Sequence, residues 1–229
     1  MGVIVPMAPR ATYRLQMHVG FGFAQASAIA DYLEQLGVSH VYSSPYLQAA
    51  KGSTHGYDVV NPREVNHELG GPEAHAHFCK TLGKFHLGQV LDIVPNHMSI
   101  ADPNNRWWWD VLENGPSSRY ASFFDVEWQP PEARLHNMVL LPILGDHYGR
   151  IVEAGEIQLV RQRGTFTFRY HDHLVPVAPR SLDNLLASAA DRAQSTGLAF
   201  IADSFGRLPI STSTDRPSIA RRHRDKEVL

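Results

Sequence analysis

The feature that most limits the fold of this chain is a regular alternation of short β-like runs with helical patterns in its first hundred residues. β-like runs cover residues 11–16 and 38–43, and residues 26–36 between them place apolar side chains on one helical face. A second helical pattern begins at Pro72, and a near-continuous apolar run at residues 89–94 predicts a third strand that is covered on both faces. This series predicts an α/β sheet or barrel with parallel strands.

The segment between the second strand and the second helix, residues 46–71, is rich in Gly, Ser, Asn and Pro. This composition predicts a single long loop, which exceeds the usual length of a strand–helix connection. Loops of this kind often carry functional groups, so we expect binding residues within it.

The alternation ends after the third strand, and a loop-rich stretch follows up to about residue 179. Its β-like runs predict a small antiparallel subdomain and cover residues 138–144, 150–153, 157–161 and 165–170. A helical pattern returns at Ser181, and the polar residues 219–229 predict an exposed helix. These patterns divide the chain into three β/α units (1–97), an inserted subdomain that is first β-rich and then helical (98–217), and the start of a truncated helix (218–229).

Composition argues against several classes of protein. The chain has 21 Lys and Arg against 23 Asp and Glu, so no basic excess favours nucleic-acid binding. No apolar run approaches the roughly 18 residues that a spanning helix needs, and the N-terminus is a poor signal peptide. We therefore expect a soluble cytoplasmic protein without a membrane partner. The single cysteine, Cys79, excludes an internal disulfide, and its position on the apolar face of a helix predicts a buried, inert thiol.

The 13 histidines do not form a recognisable metal-binding pattern. His75 and His77 lie two residues apart on a predicted helix and so point to different faces. His171 and His173 can share a strand face, but no third ligand accompanies them. The sequence therefore predicts no metal site, and it contains no dinucleotide-binding or P-loop motif that would imply another cofactor.

Polar residues concentrate where the predicted strands end, which is where α/β proteins place functional groups. Arg14, with Tyr13 and Gln16, lies on the first strand; the run from His55 to Asp58 lies in the long loop; and Asp92 and His97 lie at the end of the third strand. A carboxylate such as Asp92 inside an apolar strand is costly unless it is paired, most simply with an arginine. The pair would be either structural or part of a site.

Two aromatic features also allow two interpretations. Tyr57, between Gly56 and Asp58, is either a platform for a sugar or base ring or an anchor of the loop. The consecutive residues Trp107, Trp108 and Trp109 look like a sugar platform, but three neighbours cannot share one face, so packing is the preferred interpretation.

These motifs resemble the α-amylase superfamily. The stretch from Asp92 to His97 is similar to that superfamily's first signature region, and His55–Asp58 to its loop with a ring-stacking tyrosine. A narrower resemblance is to the maltooligosyltrehalose synthases of glycoside hydrolase family 13, and it rests on residues 11–16, 43–58, 107–116, 140–145 and 222–229.

The resemblance implies the N-terminal part of a (β/α)8 TIM barrel with a small β-rich insertion after the third strand. It implies an enzyme that converts the reducing-end α-1,4 bond of a maltooligosaccharide to an α,α-1,1 bond. It further implies no cofactor or metal, and a pathway partner, maltooligosyltrehalose trehalohydrolase.

The resemblance also assigns roles to residues. Tyr57 would stack on the sugar at the cleaved position, His97 would bind its hydroxyls, and Asp92 would brace an arginine near the nucleophile. The substrate-binding set is completed by His55, Asp58 and Arg14.

The catalytic carboxylates of the family have no counterpart that we can identify in this chain. The nucleophilic Asp and the acid/base Glu are expected beyond Leu229, because Arg222–Asp225 lies in a polar helix rather than on a strand. We therefore expect an N-terminal portion that is inactive alone. The alternatives are a fragment of an α-glucan hydrolase and a non-catalytic glucan-binding or non-functional fragment.

Overall fold

A computed structural model describes residues 8–162 and 165–229 of the chain. The chain divides into two compact units, one up to Asn105 and one from Arg106 to Leu229. The division predicted from the sequence fell after residue 97, with a further boundary at 217/218. No helix in the described part of the chain is both long and apolar enough to cross a membrane.

The first unit contains strands and helices in alternation. The strands are β1 (Thr12–Leu15), β2 (His40–Ser43), β3 (Leu47–Ala49), β4 (Val59–Val65) and β5 (Gly88–Leu91). The helices are α1 (Phe23–Ala28), α2 (Ala30–Gln35) and α3 (Gly71–Lys84), with a 3-10 turn at His67–Leu69.

Strands β1, β2 and β5 form a parallel sheet in that order, as the alternation predicts. Leu15, Ser43 and Leu91 stand side by side in its register. Because strand side chains alternate between faces, Leu15 and Val41 point to the same face, where they join a core with residues of the helices. That core includes Phe23, Ala26, Leu33, Phe78 and Leu82. The opposite face of the sheet carries the polar side chains described below.

Strand β5 is shorter and less covered than predicted. It ends at Leu91 rather than at Val94, its residues are only half-buried, and Ile93 beyond it is 61% exposed. The reason is its position: within the described residues β5 pairs with β2 alone and is an edge of the sheet. The prediction of a strand covered on both faces was therefore wrong.

The prediction of one long loop at residues 46–71 was also wrong in part. The segment contains the antiparallel pair β3–β4 and the 3-10 turn. Gly52 and Gly56 adopt positive φ and allow the chain to reverse between the two strands. The apolar residues Val59 and Val60 are buried. The pair of strands was missed because the many turn residues around these two valines made the whole segment resemble a loop.

The helix predicted at residues 26–36 is divided into α1 and α2 at Ile29. The Ser27 hydroxyl donates to the Phe23 carbonyl at 2.8 Å, a back-bond that bends helices. Helix α2 ends at Gln35, and Gly37, two residues later, has φ +87°, as expected for the glycine that follows a helix.

Cys79 is exposed on α3, which corrects the prediction of a buried thiol. The buried face of α3 includes Phe78 and Leu82, and one residue further along a helix turns about 100° away from such a face. The Cys79 Sγ lies 3.5 Å from His75 Nε2, one turn earlier.

The second unit contains the remaining elements. Its helices are α4 (Arg106–Asn114), α5 (Tyr148–Glu153), α6 (Leu182–Ala193), α7 (Thr196–Gly206) and α8 (Arg216–Val228), and its strands are β6 (Ile157–Gln162), β7 (Thr165–Tyr170) and β8 (His173–Pro176). Short 3-10 turns lie at Gly115–Ser117, Ala121–Phe123, Ala133–Leu135 and Pro179–Ser181.

Strands β6, β7 and β8 form an antiparallel sheet, which confirms the β-like runs at 157–161 and 165–170. The runs at 138–144 and 150–153 were wrong. The first is irregular and contains Pro142, and the second lies in α5, where the His147 side chain accepts a hydrogen bond from the Gly149 N–H and caps the helix.

The helix predicted from Ser181 is α6, with Leu182, Leu186 and Ala190 buried. The predicted C-terminal helix is α8, but it is not wholly exposed. Arg222 is 1% exposed, and its guanidinium donates to Asn114 Oδ1 (2.9 Å) and to the Pro209 carbonyl (2.5 Å). A charged residue is buried here because it finds acceptors, which the composition of the helix does not reveal.

Candidate functional site

One face of the parallel sheet brings polar side chains together at the ends of its strands. Arg14 on β1 lies beside Tyr42 on β2, and Tyr42 lies beside Val90 on β5. Asp92 is two residues beyond Val90, and its N–H continues the ladder by donating to the Ser43 carbonyl at 2.9 Å. Because side chains alternate along a strand, Arg14, Tyr42 and Asp92 project from the same face.

Three donors converge on one oxygen of Asp92. Oδ2 accepts hydrogen bonds from Arg14 Nη1 at 3.0 Å, from Tyr57 Oη at 2.5 Å and from Tyr42 Oη at 3.2 Å. Arg14 also donates from Nη2 to Tyr57 Oη at 3.1 Å. The Asp92 side chain is 16% exposed and that of Arg14 is 38% exposed, so the cluster lies near the surface. We call Arg14, Tyr42, Tyr57 and Asp92 the strand-end cluster.

The hydrogen bonds set the charge states in this cluster. The pKa of Asp92 lies below its ordinary value, chiefly because the Tyr57 hydroxyl donates to the carboxylate, with further contributions from Arg14 and Tyr42; burial opposes them. The pKa of Tyr57 is raised, chiefly because its proton is held by Asp92. The pKa of Arg14 is also raised, first by its hydrogen bond to Asp92. Asp92 is therefore a carboxylate and Tyr57 a neutral phenol at neutral pH.

The turn before β4 positions Tyr57. The Ser53 hydroxyl donates to Asp58 Oδ1 at 2.5 Å and accepts the Gly56 N–H at 3.0 Å. The Tyr57 N–H donates to His55 Nδ1 at 3.0 Å, and the two rings are stacked at 5.8 Å between centroids. His55 and Asp58 thus shape the turn that carries Tyr57.

Two further contacts hold this turn against the sheet. Gln16 at the end of β1 donates from Nε2 to the Thr54 carbonyl at 3.0 Å. Gly56 packs so closely on the Pro45 carbonyl that an added Cβ would lie 2.2 Å from its oxygen. Position 56 therefore admits only glycine without movement of the backbone.

The structure thus joins Arg14, Tyr57 and Asp92 directly, and it gives Asp92 an arginine partner on β1. The structure does not join His97 to this cluster. It is exposed in the loop after β5, its Nδ1 lies 3.1 Å from Asn96 Oδ1, and within residues 8–162 and 165–229 no hydrogen bond or ion pair links it to the cluster. A role for His97 in binding stays a prediction. Tyr13, grouped with Arg14 in the sequence, is in register with Val41 and points to the other face.

Tyr42 belongs to the cluster and was not predicted from the sequence. Tyr42 lies in a short strand next to the buried Val41, so the sequence around it indicates a packing role. The signal that could identify it is the register of β1 and β2, since a tyrosine opposite Arg14 shares its face.

The tryptophans of α4 are used for packing in the second unit. Trp108 is buried, with its ring 5.0 Å from that of Phe124. Trp107 stacks on Tyr120 with centroids 5.2 Å apart and planes at 6°. Among the described residues, no group of three or more His, Cys, Asp or Glu side chains has the arrangement of a metal site.

The family profile described as "Alpha amylase, catalytic domain" matches residues 27–149, more than half of the chain. A protein of Mycobacterium tuberculosis provisionally named maltooligosyl trehalose synthase is 42% identical over 188 residues, which are 80% of this chain and 23% of that protein. The intracellular maltogenic amylase of Bacillus subtilis is 35% identical over 127 residues, 56% of this chain and 19% of that enzyme.

Solved structures give the same result. The maltooligosyltrehalose synthase of Arthrobacter ramosus has a TM-score of 0.64 and 40% identity over 74% of this chain and 21% of its own. A second maltooligosyl trehalose synthase has a TM-score of 0.67 and 35% identity over 74% of this chain and 22% of its own. The chain thus spans less than a quarter of the length of these relatives.

Proposed function

Because this chain belongs to the α-amylase catalytic-domain family, which has a TIM-barrel fold, we propose that it forms the first strands of a glucan-binding cleft in a maltooligosyltrehalose synthase. The observation that carries the proposal is the strand-end cluster. It joins the residues of two signature motifs, Tyr57 and Asp92, through Arg14 at the end of parallel strands. Active sites of barrel enzymes lie at that end.

The proposed reaction is an intramolecular transfer of the terminal glucose unit. The bond from C1 of the penultimate glucose to O4 of the reducing-end glucose breaks. That C1 then bonds the anomeric hydroxyl oxygen of the same reducing-end glucose, and O4 leaves as a hydroxyl that carries the proton lost by the anomeric hydroxyl, so that no atom is gained or lost. Such a retaining reaction needs one carboxylate as nucleophile and a second carboxyl group as acid and then base, about 5 Å apart. We propose that both carboxyl groups belong to sequence beyond Leu229. We further propose that this sequence completes a (β/α)8 barrel with an insertion after the third strand.

The residues of this chain then bind and orient the substrate. The Tyr57 hydroxyl is engaged by Asp92 and Arg14, so Tyr57 offers its ring face to a sugar. We propose that His97 donates to sugar hydroxyls from the loop after β5. Asp92 acts as a fixed anion that orients its donors, since its lowered pKa keeps it from serving as an acid.

A second candidate function is that of an α-glucan hydrolase, because a maltogenic amylase also matches this chain. The synthase is favoured, since its relative is more similar and matches over 188 residues against 127. The two differ in product. A synthase leaves a non-reducing trehalose end, whereas a hydrolase releases reducing sugar.

A third possibility is that the chain binds glucan without catalysis. It follows from the proposed position of both catalytic carboxylates outside these residues. For a protein that includes them, the partners we propose are a maltooligosaccharide as substrate and a trehalohydrolase that consumes the product, in the cytoplasm.

The test has two arms. The 229-residue chain is incubated with maltopentaose, and products are followed by chromatography against a no-protein control. We expect no trehalose-terminated product, because the covalent step has no nucleophile; such a product would show that the carboxylates are misplaced.

The second arm measures maltoheptaose binding by calorimetry with Tyr57→Ala. We expect this change to weaken binding about tenfold, as the loss of an aromatic platform does. The matched control is Tyr32→Ala, which removes an exposed tyrosine on α2 and should leave binding unchanged. Equal binding by the two variants would contradict a glucan site at the strand-end cluster.

A further inference from the structure

We propose that Tyr42 is a positioning residue that holds Asp92 and Arg14 in the arrangement which fixes the ring of Tyr57. Neither the resemblance nor the sequence pattern assigns a role to Tyr42. The inference deepens the proposed function. Its test by glucan binding rests on that function, whereas its test by the NMR signals of Asp92 and Arg14 does not.

The position of Tyr42 in the sheet makes this role possible. It lies on β2, the central strand, with β1 and Arg14 on one side and β5 and Asp92 on the other. Tyr42 is not among the buried residues of the helix-covered core, although its neighbour Val41 is. Its side chain is therefore directed to the polar face, where it reaches residues of both adjacent strands.

Tyr42 makes two different contacts within the cluster. Its hydroxyl donates to Asp92 Oδ2 at 3.2 Å. Its ring lies under the guanidinium, with Arg14 Cζ 4.6 Å from the ring centroid, a distance at which a cation and an aromatic face attract. The hydroxyl thus restrains the anion and the ring restrains the cation.

Both restrained groups hold Tyr57. Tyr57 Oη donates to Asp92 Oδ2 at 2.5 Å and accepts from Arg14 Nη2 at 3.1 Å. If Asp92 or Arg14 rotates, Tyr57 loses one of these contacts, and the plane of its ring is no longer set. Tyr42 does not need to touch the sugar, since it acts through the two groups that bind Tyr57.

Two substitutions separate the two contacts. Tyr42→Phe removes the hydroxyl and keeps the ring, and Tyr42→Leu removes both. Tyr32→Phe is the matched control, because it makes the same chemical change at an exposed position on α2. The carboxyl carbon of Asp92 is titrated by NMR, the guanidinium N–H signals of Arg14 report its rotation, and calorimetry measures maltoheptaose affinity.

We expect Tyr42→Phe to raise the pKa of Asp92 and to weaken maltoheptaose binding about three- to tenfold, as the loss of one hydrogen bond to a charged group does. We expect rotation of the Arg14 guanidinium to be as slow in Tyr42→Phe as in the parent and to be faster in Tyr42→Leu. Tyr32→Phe should match the parent in all three measurements.

Each remaining outcome is decisive. The inference is overturned if all three variants are folded and show the same Asp92 pKa and the same Arg14 signals. The variants are Tyr42→Phe, Tyr42→Leu and Tyr32→Phe. The same holds if the parent binds maltoheptaose and Tyr42→Leu binds it equally well. If the parent binds no glucan but the NMR changes occur, the proposed function fails and the positioning role of Tyr42 stands.

Discussion

Three donors converge on one oxygen of Asp92, and this arrangement decides how the cluster responds to pH. In an unfolded chain the carboxyl titrates near its ordinary pKa of about 3.9. In the folded protein the pKa is lower, because Tyr57, Arg14 and Tyr42 donate to the charged form. Protonation therefore costs more in the folded state than in the unfolded state. The stabilisation is complete above the unfolded pKa and is lost as the pH falls through the folded pKa.

We expect Asp92→Asn to lower the free energy of unfolding by about 1 kcal/mol at pH 7, a modest value because Arg14 is partly exposed. Urea unfolding of parent and variant is measured from pH 7 downward. The two stabilities should converge at acid pH, where the parent carboxyl is also protonated.

The control for this change is Asp203→Asn. Asp203 pairs with Arg207 at 2.9 Å on the surface of α7, and both side chains are more than half exposed. Its loss should cost less than about 0.5 kcal/mol at any pH. A difference between parent and Asp92→Asn that does not change with pH would show that the carboxylate has no pKa shift on folding.

Residues of the cluster differ in how well the sequence reveals them. Arg14, Tyr57 and Asp92 could be identified because a charged or glycine-flanked residue beside an apolar strand is unusual. Tyr42 could not, because a tyrosine in a strand is ordinary and only the pairing of β2 with β1 gives it a partner. Arg222 was misjudged for a similar reason, since one of its acceptors, Asn114, lies 108 residues away in the sequence.

At the scale of elements, the β3–β4 pair shows how a single glycine positions a functional loop. Gly56 has φ +79° and lies against the Pro45 carbonyl, whereas Gly52 has φ +76° and no atom within 4 Å of an added Cβ. The two glycines thus share one conformation in different surroundings. Substitution of Gly52 therefore measures the cost of backbone strain alone, and substitution of Gly56 measures that cost together with a steric clash.

We expect Gly52→Ala to destabilise the protein by about 1 kcal/mol, from the positive φ alone. Gly56→Ala should cost about 3 kcal/mol, because the Pro45 backbone must also move. Thermal unfolding measures both, and the Tyr57 NMR signals should shift only in Gly56→Ala. Equal losses in the two variants would mean that the turn moves away from Pro45 without cost.

Helix α8 is held by polar contacts to α4 and to the 3-10 turn that follows α4. Besides Arg222, His223 is buried, with Nε2 3.2 Å from the Ser117 carbonyl in that turn, and the partly exposed Lys226 forms an ion pair with Glu113 of α4. We expect Arg222→Ala to destabilise the second unit by about 3 kcal/mol, because it leaves a cavity and the unpaired acceptors of Asn114 and Pro209.

All four tryptophans of the chain lie beyond residue 106, so their fluorescence follows the second unit alone. The control for Arg222→Ala is Arg224→Ala on the same helix, where the side chain is 70% exposed and pairs with Asp225. Its effect should stay within about 0.5 kcal/mol. If both changes lower the fluorescence midpoint equally, the buried contacts of Arg222 do not stabilise the unit.

The elements that could be predicted are those with a long or regular pattern. The parallel order of β1, β2 and β5 follows from apolar runs separated by helices, and α6 follows from its periodicity. Among the elements that were missed, β3, β4 and α5 are short or interrupted by turn residues. Tertiary packing decides such segments, and a local pattern does not contain it.

At the scale of the whole chain, we expect the open side of β5 to be a site for self-association. Within the described residues β5 pairs on one side only, and the apolar Ile93 follows it in an exposed position. Unpaired strand edges next to apolar surface recruit other chains. Size-exclusion chromatography should therefore show concentration-dependent oligomers of the 229-residue protein.

Ile93→Lys should shift this equilibrium toward monomer, because a charge beside a strand edge opposes pairing. Ile100→Lys is the control, since Ile100 is equally exposed but lies away from the strand. A parent protein that elutes as a monomer at all concentrations, with one cooperative unfolding transition, would contradict an associating edge.

The contacts between α4 and α8 also have a consequence for the order in which the chain folds. Arg222 and Asn114 are 108 residues apart in sequence, and His223 and Ser117 are 106 apart, whereas Arg14 and Asp92 in the first unit are 78 apart. A contact between distant residues forms slowly, because a long loop must close first. On the ribosome the first unit is complete in sequence long before α8 emerges. The strand-end cluster should therefore assemble during synthesis, before α8 emerges and can contact α4.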